Sequence, residues 1–474
     1  MGWSYLICIA LPVYGAAWAD AWPQFRGPGG SGRAESAHPL PAEIGPESNV
    51  IWKVPLPPGH SSPIVHGDRI YVTAVRDAKL LTIALERESG KVLWEVEAPY
   101  QQLEQIHTIG SHAQCTPATD GQRIICFFGS VGLLCYDRDG KLLWKRPAGP
   151  FKNDMGAASS PILAGEWIIL CQDHDTDSFL ESIDQRTGRT RWRVDRSEFP
   201  RNFCTPVIWD TPAGRQIVVV ATLRVVGYDF DTGQELWTVR GLARTCCATP
   251  VVGTDGNLYA AGWSAGGDAT DRIETDPFDE AVRKLDSDHN GTLEEAELPA
   301  GPVKQRFSQF DRDKDGSIMR QEYDYFRGLF QKTRNVLVAI RPGGTGEITD
   351  THVVWQHARY VPFCASPLYD NGRVFAVKDG GIVACFDART GETLKVQRVP
   401  GTGSYYSSPV AGDGKVFLVN QKGRATVISS AGDWQVLATA DFADDVYATP
   451  AIVEGRILLR TVGHLYCLGF AKGQ

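Results

Sequence analysis

The chain has 474 residues, enough for two or three ordinary domains or for one large repetitive one. Its formal net charge of −8, from 56 acidic and 48 basic side chains, offers no basic surplus to neutralise phosphates, which excludes nucleic acid as the expected partner. The 49 glycines and the scarcity of helical periodicity favour a strand-and-turn protein.

Residues 1–19 are predicted to be a signal peptide. Leu6 to Val13 form a short apolar run, and Ala17-Trp18-Ala19 gives the small-x-small pattern that precedes a cleavage site. No Lys or Arg precedes the run, and a buried strand or a membrane anchor is the alternative, although the run is too short to span a bilayer. We therefore expect an exported monomer, periplasmic or extracellular, without a transmembrane span in the mature chain.

A repeat organises the rest of the sequence. A tripeptide of a small residue, Ser or Thr, and Pro recurs eight times, and successive prolines are separated by 54, 44, 45, 44, 117, 42 and 41 residues. The prolines are Pro63, Pro117, Pro161, Pro206, Pro250, Pro367, Pro409 and Pro450. Six of the seven spacings are near the length of a four-stranded propeller blade, and the spacing of 117 marks an insertion.

Each unit continues with alternating strands, an Asp-x-x-Thr-Gly-like turn and a strand that often carries tryptophan. The glycine supplies a positive φ, and the tryptophan offers a flat face to wedge between blades. These tryptophans are Trp94, Trp144, Trp192 and Trp237, whereas Lys395 takes the position in the sixth unit. The eighth unit lacks its last strand, and residues 49–57 match residues 91–99, so the N-terminal strand is expected to complete the last blade. The sequence predicts an all-β, eight-bladed propeller of four-stranded blades.

The Asp-x-x-Thr-Gly-x-x-x-Trp turn resembles the repeat of the quinoprotein-like (PQQ-like) propellers, and the resemblance covers roughly residues 50–470 apart from the insertion. That family includes quinoprotein alcohol dehydrogenases and scaffold proteins similar to the assembly factor BamB. Residues 22–32 also look like the mature N-terminus of exported members. The resemblance implies the fold, whereas its members differ in activity.

Two adjacent twelve-residue segments in the insertion fit the EF-hand loop D-x-[DN]-x-[DN]-G-x₅-E. The predicted calcium ligands are Asp286, Asp288, Asn290, Thr292 and Glu297 in the first loop, and Asp311, Asp313, Asp315, Ser317 and Glu322 in the second. Thr292 and Ser317 would donate backbone carbonyls, and the two glutamates would bind bidentately. Apolar residues at helical spacing flank both loops, which argues against the alternative of an acidic surface turn. We expect two calcium sites.

The predicted division of the chain is an N-terminal extension (residues 20–49), propeller (50–268), a small α-helical EF-hand pair in the fifth blade (269–333) and propeller again (334–474). The insertion falls between the second and third strands of its blade. Strand order then places it on the same face as the long link that contains residues 100–114. Loops on one face of a propeller commonly form its binding surface.

The same face would present the residues that precede the repeat prolines, which form either a ligand-binding mouth or the packing of the channel. They are His60, His112, Asn202, Phe203, Cys246, Cys247, Phe363, Tyr405, Tyr406 and Tyr447. Cysteines that recur at equivalent strand positions are interpreted as buried free thiols, and the sequence cannot assign any disulfide. Cys246 and Cys247 are candidates for cofactor binding, because quinoprotein alcohol dehydrogenases carry a vicinal disulfide that stacks on their quinone.

The leading hypothesis is a non-enzymatic, calcium-binding propeller that acts as a scaffold for a protein or glycan on its loop-rich face. The alternative is a PQQ-dependent oxidoreductase of the alcohol or sugar dehydrogenase type. Two observations argue against the oxidoreductase. The resemblance would place the vicinal cysteines early in the chain, whereas Cys246 and Cys247 lie in the fifth unit, and no C-x-x-C-H haem motif is present. A hydrolase or lyase is the third class, and no nucleophile motif or further metal cluster supports it.

Overall fold

The computed structural model describes residues 21–34, 38–153 and 155–471, so the predicted signal peptide lies outside the described residues. The strands form eight antiparallel four-stranded blades, with the insertion in the fifth, and the predicted eight-bladed propeller is confirmed. None of the helices in the described part of the chain combines the length and apolarity that a bilayer crossing requires.

The blades are numbered 1 to 8 by the order of their innermost strands. The innermost strands are Ile64–His66, Ala118–Thr119, Ile162–Ala164, Val207–Thr211, Val251–Val252, Leu368–Asp370, Val410–Gly412 and Ala451–Val453. The second strands are Arg69–Arg76, Arg123–Phe127, Trp167–Gln172, Gly214–Ala221, Leu258–Gly262, Arg373–Lys378, Lys415–Val419 and Arg456–Arg460. The third strands are Lys79–Glu86, Leu133–Asp137, Phe179–Asp184, Arg224–Asp229, Val336–Ile340, Ile382–Asp387, Arg424–Ser429 and His464–Gly469.

The outermost strands are Val92–Ala98, Leu142–Arg146, Thr190–Asp195, Glu235–Arg240, Val353–His357, Thr393–Arg398, Val436–Asp441 and Val50–Pro55. The last of these comes from the N-terminal part of the chain and pairs with His464–Gly469, with Trp52 opposite Cys467. The predicted closure of blade 8 by the N-terminal strand is therefore confirmed. Closure of this kind leaves no free edge between the first and last blades.

The Ser or Thr of the repeat tripeptide forms a ring of hydrogen bonds around the central channel. In each blade its backbone N–H donates to the hydroxyl of the equivalent residue in the next blade, at 2.9 to 3.2 Å. The ring runs through Ser62, Thr116, Ser160, Thr205, Thr249, Ser366, Ser408 and Thr449 and back to Ser62. The recurrence of a hydroxyl before each proline thus has a structural cause, since each hydroxyl satisfies a buried N–H of its neighbour.

Tryptophans of the outermost strands wedge against the turn of the following blade, as predicted for three of them. The indole N–H of Trp94 donates to the carbonyl oxygen of Arg138 at 2.8 Å, and a Cβ on Gly140 of that turn would lie 2.8 Å from the ring. Equivalent indole bonds are made by Trp52, Trp144, Trp192 and Trp355. Only glycine allows the ring to approach the turn this closely.

The prediction for Trp237 was wrong. Its indole donates to Oε1 of Gln216 in its own blade at 2.8 Å, and the ring stands edge-on to Trp209. The next blade offers it no Asp-x-x-Thr-Gly turn, because residues 341–348 replace that turn in the fifth blade. Lys395 packs differently, as predicted, since its ammonium lies 4.7 Å from the centre of the Trp434 ring.

The N-terminal extension runs inside the channel. Ala21–Trp22 pairs with the end of Ile64–His66 in blade 1, and the carbonyl oxygen of Pro23 accepts from the N–H of Thr119 in blade 2. Further along, the Arg26 guanidinium donates to the carbonyl oxygen of Pro367 in blade 6 at 2.7 Å. Trp22 and Arg26 are fully buried. The extension therefore seals the channel below the hydroxyl ring, which sequence reasoning did not anticipate.

The insertion between Leu258–Gly262 and Val336–Ile340 is a small, mainly helical module. Its helices are Phe278–Leu285, Phe307–Phe310 and Arg320–Lys332, with a 3₁₀ turn at Lys304–Arg306. Its two short strands, Leu293–Glu294 and Ser317–Ile318, pair with Leu293 opposite Ile318. The remaining short elements are the strand Gly346–Glu347, the helix Thr349–His352 and the 3₁₀ turns Pro28–Gly30 and Gly129–Val131. The predicted place of the insertion, between the second and third strands, is confirmed.

Candidate functional site

The channel opens into a cavity of about 650 Å³ at the end where the repeat prolines lie, called here the mouth. The hydroxyl ring lines its lower part, and Phe25 of the N-terminal extension forms part of its floor. Above the hydroxyls, the residue three positions before each repeat proline contributes a second ring: His60, Gln114, Ala158, Phe203, Cys247, Cys364, Tyr406 and Tyr447. The upper wall includes His107 and Ile109 of the long link and Gln305, Arg306 and Gln309 of the inserted module.

Six of the ten residues predicted to face the mouth line the cavity: His60, Phe203, Cys247, Phe363, Tyr406 and Tyr447. The prediction was wrong for Asn202, Cys246 and Tyr405, which are buried among the blades, and His112 does not line the cavity. Side chains of an extended segment alternate between two sides, which turns Asn202, Cys246 and Tyr405 away from the channel, whereas the neighbours Phe363 and Cys364 both line it. Gln114 and Cys364 occupy the lining position, and the repeat register was the signal that could have identified them.

Aromatic rings form one apolar side of the mouth. The His60 imidazole stacks on Tyr447 with ring centres 3.9 Å apart, and Tyr447 lies 5.4 Å from Tyr406. Trp263 and Phe363 meet edge-on at 4.9 Å. Burial, followed by the charge of Arg460, lowers the pKa of His60 to about 4. At neutral pH His60 therefore belongs to the apolar wall as an uncharged ring.

Arginines give the mouth positive charge beside its apolar wall. The described residues that line the cavity include Arg201, Arg244 and Arg306 and no Asp or Glu. Arg201 is neutralised by the buried Asp175, to which its Nε donates at 2.7 Å. Arg244 is 7% exposed, and its Nη1 donates to Oε1 of Gln309 in the module at 3.0 Å. Burial, with smaller contributions from the charges of Arg306 and Arg201, lowers the pKa of Arg244 to about 10. The mouth thus combines an apolar wall with unneutralised positive charge.

The inserted module is held against blade 3 beside the mouth. The Lys314 ammonium lies 3.1 Å from a carboxylate oxygen of Asp175, and the Arg312 guanidinium donates to the carbonyl oxygen of the same residue at 3.1 Å. The Tyr325 hydroxyl donates to the carbonyl oxygen of Glu198 at 3.0 Å. Lys314 and Arg312 belong to the second acidic loop, so that loop is part of the contact between module and propeller.

The first acidic loop is folded around its carboxylates. Oxygens of Asp286, Asp288 and Glu297 lie within 4.8 Å of one another. Asp286 accepts from the N–H of Gly291 at 2.9 Å, and Asn290 Oδ1 accepts from the N–H of Thr292 at 2.8 Å. The N–H of Glu294 donates to the Glu297 carboxylate at 3.1 Å and that of Ser287 at 2.7 Å, and these bonds lower the pKa of Glu297 to about 2. This carboxylate is ionised at neutral pH, as a ligand of a hard cation must be.

The second loop repeats this arrangement. Oxygens of Asp311, Asp313 and Asp315 lie within 4.8 Å of one another. Glu322 lies at the start of helix Arg320–Lys332, where its carboxylate accepts from the N–H of Arg312 at 2.7 Å and of Met319 at 3.1 Å. The fourth loop residues, His289 and Lys314, have φ of 61° and 63°. Both acidic groups could hold a metal ion, and the donor set of hard oxygens fits calcium. Coordination by the Thr292 and Ser317 carbonyls stays a prediction.

The vicinal cysteines do not face the cavity together. The Cys246 thiol is buried and lies 3.5 Å from the carbonyl oxygen of Ala221, whereas Cys247 lines the mouth. The neighbour of Cys247 is Cys364 of blade 6, and a hydrogen bond between the two thiols, followed by burial, raises the pKa of Cys364 well above its ordinary value. All ten cysteines of the described residues are free thiols. A quinone that stacks on both vicinal sulfurs does not fit this arrangement.

Comparison with known proteins identifies the repeat. The family model described as "Outer membrane protein assembly factor BamB" matches residues 45–148, 110–276 and 330–474, which leave out residues 277–329, the greater part of the module. No curated protein sequence matches the chain. Among solved structures, BamB from Moraxella catarrhalis is similar with a TM-score of 0.56 and 14% identity, covering 90% of this chain and 98% of that one.

Two other solved structures show the same fold. A europium-containing methanol dehydrogenase has a TM-score of 0.50 and 9% identity, covering 95% of this chain and 98% of its own. The computationally designed Ika8 protein has a TM-score of 0.54 and 9% identity, and the match covers 89% of this chain and 100% of Ika8. At such identities the likeness concerns the fold and not the activity.

Proposed function

The chain belongs to the family of the outer membrane protein assembly factor BamB, and from that premise we propose that it is an exported, calcium-binding scaffold that docks a protein or glycan at its mouth. The observation that carries the proposal is that the propeller and the inserted module wall one cavity together. A pocket of this size with aromatic walls and a few placed polar groups suits a ligand group or an anchoring side chain of a partner. No catalytic residue is proposed.

Calcium has a structural role in this proposal. Loading the second loop fixes Asp311, Asp313 and Asp315, and the same loop contacts blade 3 through Arg312 and Lys314. The bound ion would therefore hold the module wall of the mouth in position. Exported calcium modules commonly have dissociation constants of about 10⁻⁴ to 10⁻³ M, which suits a constitutive structural site better than a signalling switch.

Calorimetry with calcium tests the metal sites. The variant Glu297→Gln, Glu322→Gln should lose both binding events, because each substitution removes a carboxylate that closes a loop. The matched control is Glu295→Gln, Asp324→Asn, which removes the same charge next to the loops' closing residues. If the Glu297→Gln, Glu322→Gln protein bound calcium like the wild type in calorimetry, the assignment would be refuted.

Capture from the exported proteome, with and without a chelator, tests the docking role. We expect the wild type to capture one partner in the presence of calcium. A Tyr406→Ala, Tyr447→Ala variant, which removes the apolar wall, should capture less of it. A Lys141→Ala, Lys145→Ala variant, changed just before and within the outermost strand of blade 2, serves as the control for nonspecific adsorption. Equal capture by the mouth variant and the control would contradict docking at the mouth.

A further inference from the structure

We propose that the mouth contains an anion subsite in which Arg244 of blade 5 and Arg306 of the inserted module bind the carboxylate of an organic ligand whose apolar body lies on the aromatic wall. This inference rests on the proposed docking function and gives it a ligand chemistry. The site lies across the boundary between the propeller and its insertion, so neither part contains it alone.

The charge of the mouth is opposite to that of the protein. The chain carries a net charge of −8, yet the described lining residues include three arginines and no carboxylate. Because Arg201 is neutralised by Asp175, the excess positive charge comes from Arg244 and Arg306. No described carboxylate forms an ion pair with either of them. Low-dielectric walls focus such a field into the cavity, which favours anionic ligands.

Arg244 is held in place by its surroundings but is not electrically compensated. Its backbone N–H donates to Oγ1 of Thr333 at 2.9 Å, its guanidinium carbon lies 4.9 Å from the centre of the Phe330 ring, and Nη1 donates to Gln309. Its Nε is buried and has no hydrogen-bond partner. A buried guanidinium without a counter-charge is costly, and a ligand carboxylate in the cavity would supply that charge.

Arg306 provides the second positive charge from the module. It is half-buried, and its Nη1 donates to the carbonyl oxygen of Pro302 at 3.2 Å. Burial lowers its pKa, and its charge in turn lowers that of Arg244. Two guanidinium groups that line one cavity gain from an anion that both can contact. Gln305 and Gln309 add neutral polar groups to the same wall.

The rest of the cavity defines the body of the ligand. Trp263, Phe363, Tyr406 and Tyr447 present apolar and aromatic surface, and the volume of about 650 Å³ lies within the range of small-molecule sites. A small inorganic anion would leave this surface unused. A carboxylate attached to an aromatic or aliphatic group, whether a free acid or the C-terminus of a peptide, would use both parts of the mouth.

Calorimetry with 3-phenylpropionate, 3-phenylpropanamide and inorganic phosphate tests the subsite on the full calcium-loaded chain. We expect the acid to bind at least tenfold more tightly than the amide or phosphate. Arg244→Gln and Arg306→Gln should each weaken binding of the acid at least tenfold, and Arg244→Lys should weaken it less. The control Arg240→Gln, which changes an exposed ion pair with Glu347, should leave binding of the acid unchanged. A peptide ending in Phe with a free carboxylate, compared with its amidated form, shows whether a chain terminus also supplies the anion.

Three results would overturn the inference: equal binding of acid and amide, phosphate binding as tight as that of the acid, or unchanged binding by Arg244→Gln with a wild-type circular dichroism spectrum. Loss of acid binding by Arg244→Gln but not by Arg244→Lys supports it, because the lysine variant shows that the fold tolerates a change at this position. If partner capture succeeds while the acid fails to bind, the subsite is refuted and the docking function stands. If the acid binds and no partner is captured, the subsite stands and the docking function fails.

Discussion

The backbone N–H of Thr449 donates to the Ser62 hydroxyl across 3.0 Å, and this bond joins the last blade to the first. The two residues are 387 positions apart in sequence, and the seven other bonds of the ring link neighbouring blades in the same way. The first prediction concerns this bond. Ser62→Ala would leave the buried N–H of Thr449 without an acceptor and should lower the free energy of unfolding by about 1–3 kcal/mol.

Ser62→Thr is the control for that prediction, since four of the eight ring positions are threonine in the wild type. It should retain nearly full stability in chemical denaturation followed by tryptophan fluorescence. Equal destabilisation by the alanine and threonine variants would indicate that packing, and not the hydroxyl, matters at this position.

The second prediction concerns the N-terminal extension in the channel. Trp22 is 1% exposed and lies over Gly27, so Trp22→Ala should cost about 3–5 kcal/mol through lost burial and the cavity left behind. Trp22→Phe, which keeps an aromatic ring, should cost less. Denaturant midpoints of the two variants measure the difference. A loss below about 1 kcal/mol in Trp22→Ala would show that the extension is not part of the folded core.

The third prediction concerns pH. The pKa of His60 is lowered from 6.5 to about 4 in the folded protein, so folding favours the neutral imidazole. Its contribution to stability is complete above pH 6.5 and is lost as the pH falls towards 4, by up to about 3 kcal/mol. His60→Phe cannot be protonated and should show a shallower loss over that window. Parallel stability curves for the two proteins between pH 6.5 and 4 would contradict the lowered pKa.

The fourth prediction concerns calcium and stability. Ions that bind only the folded module should stabilise it by about 1.4 kcal/mol per site at ten times the dissociation constant. Thermal unfolding should therefore shift to higher temperature with calcium in the wild type and in Glu295→Gln, Asp324→Asn, but not in Glu297→Gln, Glu322→Gln. Magnesium at the same concentration should shift it less, because Mg²⁺ dehydrates reluctantly and demands a tighter octahedral geometry. An equal shift in all three proteins would point to a general salt effect.

The fifth prediction concerns the quinone alternative. Because Cys246 is buried away from the cavity, pyrroloquinoline quinone added with calcium should neither change its absorbance on mixing nor support dye reduction with alcohols or sugars. The variant Cys246→Ala should behave like the wild type in both assays. Quinone-dependent dye reduction that is lost in Cys246→Ala would restore the oxidoreductase hypothesis.

Most of the architecture could be predicted from the sequence, because each blade repeats the same local pattern. The spacing of the repeat prolines gave the number of blades, and the match of residues 49–57 to residues 91–99 gave the closing strand. Where an expected partner was missing the prediction failed: Trp237 turns into its own blade since the fifth unit lacks the usual turn. The path of Trp22 and Arg26 through the channel could not be predicted, because their partners, Val65 of blade 1 and Pro367 of blade 6, are far away in sequence.

The candidate site was only partly predictable for a related reason. The acidic loops are contiguous, so their carboxylates could be named from spacing alone. The mouth is assembled from a few residues of each of the eight blades, and the direction of each side chain decides which neighbour faces the cavity. That direction separates Cys247 from Cys246, and it brings Cys247 to Cys364 across a gap of 117 residues. The approach of Arg306 to Arg244 depends on how the module packs on the propeller, which no local pattern encodes.

The buried N-terminal segment also has a kinetic consequence. With Phe25 at the floor and Trp22 paired to blade 1 beneath it, the channel is a blind pocket and not a conduit between two faces. A bound molecule must leave by the route through which it entered, past His107 and Gln305. Its residence time would then depend on movements of the long link and the module.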